Sequence, residues 1–146
     1  MNIKQQGFTL IEILVVVVIL GILGAAVAPK LFEQADIANV TRAKGDIAKL
    51  DSLIELYKTQ TGVFPSTEQG LRALLRKPSG DPEPRNYPQS GYIKKLATDP
   101  WGNEYYYIYP GEQGVYDIFS LGADGQEGGE GYDADLGNWD DESSEG

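Results

Sequence analysis

The sequence predicts an α+β chain: one long N-terminal helix, apolar and membrane-spanning in its first half, with its second half packed on a small antiparallel β-sheet head. Three patterns carry this. From Phe8 to Ala28 the residues are almost unbroken apolar, about the length a bilayer-spanning helix needs. Val40, Ala43, Ile47, Leu50, Ile54 and Tyr57 recur at spacings of three and four, the stripe of a helix with one covered face. Tyr105-Tyr-Tyr-Ile-Tyr109 and Val115-Tyr-Asp-Ile-Phe-Ser120 are rich in strand formers, and Pro110-Gly-Glu-Gln-Gly114 between them reads as a hairpin connection.

Residues 1–7 form a short polar leader with one Lys, ending at Gly7. A secretory signal is cut after its apolar region, which the mature protein loses. Here the only abrupt boundary precedes the apolar region, so cutting between Gly7 and Phe8 would remove the leader and keep the helix of residues 8–28. Glu12 is anomalous inside that helix, because an ionisable group in a membrane segment is costly and needs a partner or a task. It lies one turn after Phe8, within reach of the amine that cleavage would create on an axially shifted neighbour. The alternative is a wet or protonated carboxylate on an ordinary single-span anchor.

Gly21, Gly24 and Pro29 interrupt the pattern. Pro29 has no N–H and clashes with the preceding turn, which predicts a kink or local melting near residues 24–29. The helix then resumes as an amphipathic segment over residues 29–62, with Gly62 as its stop. Continuous from Phe8 to Thr59, it would be about 78 Å long at ~1.5 Å per residue.

The head occupies residues 63–139. Ser66 with Gln69 has the form of a capping box, and Leu71, Leu74 and Leu75 follow, predicting a short helix over residues 67–76. Residues 77–90, rich in Pro, Gly and Ser, read as loop. The aromatics after residue 104 read as sheet packing. Residues 121–135 are dense in Asp and Gly. Calcium takes six to eight oxygens from carboxylates and carbonyls, and glycines let carbonyls converge. An EF-hand is excluded, since Gln126 and Gly128 stand where acids are required after Asp124. Gly128-Gly-Glu-Gly-Tyr-Asp133 matches the start of a calcium-binding β-helix repeat, but a single copy has nothing to stack on. Residues 140–146 read as a solvated, disordered acidic tail.

Composition narrows the chemistry. The chain has 146 residues, 12 basic and 22 acidic, and a net charge of −10, which disfavours nucleic acid as a partner. It has neither Cys nor His, which removes Ser-His and Cys-His nucleophilic sites and the usual zinc sites. An oxygen-ligated hard cation is the natural metal guest. No phosphate-binding loop is present. The last basic residue is Lys95, and thirteen acids follow it.

Gly7, Phe8-Thr-Leu-Ile-Glu12 and the apolar stretch resemble the class III leader and helix start of the type IV pilin-like proteins. The resemblance implies cleavage after Gly7 by a prepilin peptidase, N-methylation of Phe8, and a role for Glu12 in assembly or methylation. Further segments are similar to those of the major pseudopilins of type II secretion systems. They are Phe64-Pro-Ser-Thr-Glu-Gln-Gly-Leu-Arg-Ala-Leu74, Gly91-Tyr-Ile-Lys-Lys95, Asp99-Pro-Trp-Gly-Asn103, Asp117-Ile-Phe-Ser-Leu-Gly122 and Leu136-Gly-Asn-Trp139. The similarity runs from Met1 to about Trp139, and the acidic extension beyond departs from it.

That family implies a pilin-like fold and a structural, non-enzymatic subunit. It would polymerise from the bacterial inner membrane, head in the periplasm, into a pseudopilus that drives export of folded proteins across the outer membrane. Implied partners are further copies of the chain, minor pseudopilins, the prepilin peptidase and the inner-membrane secretion platform, with energy from a separate ATPase. It also implies Ca2+ in the C-terminal loop, with Asp124, Asp135, the Leu121 carbonyl and Asp133 as candidate ligands. Lys94 and Lys95 form a basic pair, while Asp51 and Glu55 lie one turn apart on a helix face. We expect the pair on one subunit to meet these acids on a neighbour. The alternatives are a type IV pilus or DNA-uptake fibre subunit, and a membrane-anchored calcium-binding module.

Overall fold

The structure, a computed structural model, describes residues 7–140. Leader residues 1–6 and tail residues 141–146 lie outside the described residues. The chain divides into two compact units, Met1–Asp36 and Ile37–Gly146. Helix α1 spans Leu10–Thr61.

In the first unit the side chains of Leu10, Ile11, Leu14, Val17, Leu20 and Ile22 are all more than 60 % exposed. This stretch is long and apolar enough to cross a membrane. Pro29 lies inside α1, which continues through it without a break. The expected melting near residues 24–29 is therefore absent. Proline removes a single N–H donor, and the helical hydrogen bonds on either side do not depend on it.

In the second unit the predicted stripe becomes the core. Ala43, Ile47, Leu50, Ile54 and Tyr57 are buried, with Val40 partly covered. They meet Leu71, Ala73 and Leu74, the sheet residues Tyr107, Ile118 and Leu136, and Tyr105 and Tyr116, which immediately precede two of the strands. Burying a large apolar side chain contributes about 1.5–3 kcal/mol, so this stripe holds the helix to the head. The helix closes where Gly62 N–H donates to the Lys58 carbonyl at 2.9 Å, and Lys58 Nζ donates to the Gly62 carbonyl at 2.7 Å.

The capping box forms as predicted: Ser66 N–H donates to Gln69 Oε1 and Gln69 N–H to Ser66 Oγ, at 3.0 and 3.2 Å. The helix expected after it does not. Residues 67–70 are a turn, and only Leu71–Leu74 coils, as a 3-10 helix. Gly70 adopts φ 55° and ψ −163°, a backbone that no α-helix can pass through. Gln69 Nε2 donates instead to the carbonyls of Ser79, Gly80 and Pro82, pinning the predicted loop.

The hairpin is present but shorter than expected. Strand β1 (Tyr106–Ile108) pairs antiparallel with β2 (Asp117–Ser120), in the register Tyr107 to Ile118. A third strand, β3 (Leu136–Gly137), completes the sheet in the order β1-β2-β3. Period-two alternation sends Tyr107 and Ile118 into the core and stacks Tyr106 on Phe119 on the other face. Two acids are buried in this scaffold. Asp117 accepts from the N–H groups of Glu112, Gln113 and Gly114 in the hairpin connection. Asp99 accepts from Trp101 N–H, Asn103 N–H and the Ser120 hydroxyl. Both are satisfied structural acids, which leaves the chemistry to other groups.

Candidate functional site

The candidate residues fall into four groups. At the N-terminal end, Gly7 and Phe8 are exposed, Phe8 at 82 %. Glu12 turns back on Thr9: Thr9 N–H and Thr9 Oγ both donate to Glu12 Oε2, at 2.8 and 3.1 Å, and Glu12 N–H donates to Thr9 Oγ at 3.3 Å. This is a reciprocal capping box at the start of α1, legible in Thr9-x-x-Glu12 but not anticipated above. Glu12 Oε2 is thus engaged within the chain, and Oε1 has no hydrogen-bond donor among the described residues.

Asp51 and Glu55 do come together on α1. The Tyr116 hydroxyl stands 2.9 Å from Asp51 Oδ1 and 2.9 Å from Glu55 Oε1. Asn138 Nδ2 donates to Asp51 Oδ1 at 3.2 Å and to the Tyr116 carbonyl at 3.2 Å. Burial, then the hydrogen bonds to the two carboxylates, pushes the Tyr116 phenol far above its ordinary range, so it stays a donor. The acids line a depression of about 260 Å³ with Gln113, Tyr116, Asn138 and Trp139.

Lys94 and Lys95 are exposed and make no ion pair among the described residues. Their backbone is anchored just upstream, where Tyr92 N–H and Ile93 N–H both donate to the Leu74 carbonyl at 2.8 and 3.1 Å. Tyr92 also packs on Tyr57, with ring centroids 5.5 Å apart. The basic pair is therefore presented outward from a fixed base.

The Asp/Gly loop folds on itself. Ala123 N–H donates to the Tyr132 carbonyl at 3.0 Å, and Asp135 N–H to the Gly128 carbonyl at 3.2 Å. Gly122 has φ 68°, and a Cβ there would sit 2.7 Å from the carbonyl oxygens of Asp133 and Ala134, so only glycine fits. Asp124 is exposed and caps its own turn, accepting from Gln126 N–H at 3.0 Å. Asp133 is exposed, and its main chain, more than its carboxylate, lies against the glycines. Asp135 differs. Its Oδ2 accepts from Gly128 N–H at 3.0 Å, while Oδ1 is buried with no partner. A buried carboxylate oxygen without a donor is costly, and a cation would satisfy it. Among the described residues no three acidic side chains converge. A cation here would take Asp135 together with main-chain carbonyls, a donor set calcium accepts.

Tyr116 and Asn138, which hydrogen-bond to the acids on α1, were not singled out in the sequence. Both lay inside recognised segments, and their polar atoms reach α1 only through the tertiary fold.

Two family models match the chain. One, the prokaryotic N-terminal methylation motif, covers residues 2–28. The other, type II secretion system protein G, covers residues 30–139. The chain is 56 % identical over 137 residues to the type II secretion system core protein G of Pseudomonas aeruginosa, covering 94 % of this chain and 96 % of that one. It is 55 % identical over 136 residues to the protein of that name from Vibrio cholerae, covering 93 % and 92 %. The crystal structure of the major pseudopilin from the type 2 secretion system of enterohaemorrhagic Escherichia coli superposes with a TM-score of 0.68. It is 44 % identical and covers 75 % of this chain and 89 % of that chain.

Proposed function

The chain belongs to the type II secretion system protein G family, and from that premise we propose that it is a structural, non-catalytic subunit that polymerises into the periplasmic pseudopilus. The observation that carries this is one continuous helix whose exposed apolar front bears the methylation motif and whose rear half is the spine of a self-contained head. The front half anchors the chain in the inner membrane before assembly, and the head stands in the periplasm. The match to protein G, over the whole head, favours the secretion fibre over a surface pilus or DNA-uptake fibre.

On this reading the prepilin peptidase cuts after Gly7 and methylates the Phe8 amine, and the mature amine of one subunit pairs with Glu12 of another. Lys94 and Lys95 of one head meet Asp51 and Glu55 of the next, while minor pseudopilins and the inner-membrane platform set where the fibre grows. Calcium in the C-terminal loop would be held by Asp135 and main-chain carbonyls, including that of Leu121, with Asp124 and Asp133 adding charge. Bound there, the cation neutralises the loop's carboxylates. The protein's own part is to bury Asp135 Oδ1 and to bring the 133–134 carbonyls against Gly122.

The test is a deletion strain complemented with the full chain, fractionated for exported proteins. Deletion should hold folded substrates in the periplasm, and complementation should release them. Export unaffected by deletion would overturn the reading. Intact mass of the membrane-purified product should show loss of residues 1–7 and gain of one methyl group. An uncut chain in a competent host would refute the processing.

A further inference from the structure

The two acids on α1 are held in place by groups from the far end of the chain. The Tyr116 hydroxyl carries one proton yet stands 2.9 Å from a carboxylate oxygen of each acid. It can donate to only one of them, and its lone pairs face the other. Asn138 supplies the other donor, to Asp51 Oδ1 at 3.2 Å. Asn138 is itself fixed on both sides by β2: its N–H donates to the Ile118 carbonyl at 3.0 Å, and its Oδ1 accepts from Ile118 N–H at 3.1 Å. Among the described residues nothing donates to Asp51 Oδ2 or Glu55 Oε2, and these acids line the open depression. The network thus fixes two carboxylates close together and leaves Asp51 Oδ2 and Glu55 Oε2 open to the depression.

Phe64 and Tyr107 pack against the Tyr116 ring, at centroid distances of 5.1 and 6.0 Å, and would pack equally well on phenylalanine. The hydroxyl's remaining effect is to fix where the two carboxylates point. Resting on the assembly reading above, we propose that Tyr116 and Asn138 are positioning residues that hold Asp51 and Glu55 ready for a single ammonium or guanidinium group from a second copy of the chain. Such a cation donates to the open carboxylate oxygens and neutralises the acid pair. Because β3 leads directly into Asn138, the C-terminal segment sets the geometry of the assembly face on α1.

The test uses the full chain in a host carrying the secretion machinery, with cross-linked ladders as the assembly readout. The melting midpoint of the detergent-solubilised chain is the fold readout. Tyr116→Phe should lower the ladder about tenfold, a larger loss than any accompanying fall in the midpoint accounts for, since a hydrogen bond to a charged group also contributes to the fold. Asn138→Asp keeps the acceptor for Ile118 N–H and sets a third carboxylate beside Asp51. It should lower the ladder at least as far. In an Asp51→Asn, Glu55→Gln background, Tyr116→Phe should have no further effect on assembly. A normal ladder from Tyr116→Phe, when the double acid variant fails, overturns the positioning role alone. So does a ladder that falls only in step with the melting midpoint. A normal ladder from the double acid variant itself overturns the assembly reading beneath it.

Discussion

Glu12 has two tasks that one substitution can separate. Its carboxylate closes the capping box with Thr9, and its charge is proposed to meet an amine on a neighbouring subunit. Glu12→Gln keeps a cap, because Gln serves at that position of a capping box, and removes the charge. The variant should insert and fold normally and fail to enter fibres, read by ladder formation. Normal fibres would assign Glu12 to helix initiation alone. Tyr57 offers a second residue-scale test. Its hydroxyl is fully buried with no partner, so Tyr57→Phe should stabilise the head by about 1 kcal/mol at neutral pH. Burial, with smaller contributions from Tyr87 and Tyr92, pushes Tyr57 up to about 12 from an ordinary 10.0. A folded value above the unfolded one means the neutral phenol's contribution is complete below pH 10.0 and is lost as pH rises through about 12. The melting midpoint should fall across that window, and less steeply in Tyr57→Phe. Identical slopes would place the alkaline sensitivity elsewhere.

Residues 123–133 of the C-terminal loop are all exposed and include Asp124, Glu127, Glu130 and Asp133, so a bound cation would add to the order of this element. Binding to the folded state alone raises stability by RT ln(1 + [L]/Kd), about 2.7 kcal/mol at a hundredfold excess over Kd. The metal-free chain should therefore melt higher with calcium than with chelator, and magnesium should substitute poorly because it demands a tighter octahedron. Asp135→Asn should erase most of the difference. Asp124→Ala should cost less, since Asp124 is exposed and already caps its own turn. Equal midpoints with calcium and chelator in wild type would remove the metal. The reverse ranking of the two variants would move the main carboxylate ligand to Asp124. Strand β3 is only two residues long, yet through Asn138 it joins this loop to α1.

At the scale of the whole molecule, charge is segregated. Every basic residue of the head lies between Arg72 and Lys95, and thirteen acids follow. On the assembly reading proposed above, such a subunit would offer complementary patches to copies of itself. Exposed ion pairs each contribute only about 0–1 kcal/mol, but a fibre repeats each one at every subunit. Lys94→Glu should weaken assembly, and Asp51→Lys or Glu55→Lys should partly restore it. Ladders that stay absent in both double variants would rule out this contact.

The helix, the anchor and the hairpin were legible in the sequence because each is written in local periodicity. The 3.6-residue stripe from Val40 to Tyr57 and the aromatic runs around residues 110–114 needed no knowledge of the rest of the chain. The methylation motif and the family-specific segments were likewise legible as strings. The 3-10 turn after Gly70 was not, because the capping box at Ser66 and Gln69 sends its side chain to a distant loop instead of starting a helix. Nor was the length of β3, whose two residues carry too little pattern to register. Candidate acids could be named from the sequence, but their standing could not. Asp124 and Asp135 look alike as letters, and only the fold buries one oxygen of Asp135 without a partner. Asp51 and Glu55 share a helix face by spacing alone, whereas the hydroxyl and amide that hold them arrive from 61 to 87 residues away. Periodic, short-range information is carried by the chain itself; hydrogen-bond partnership across such separations exists only once the core has closed.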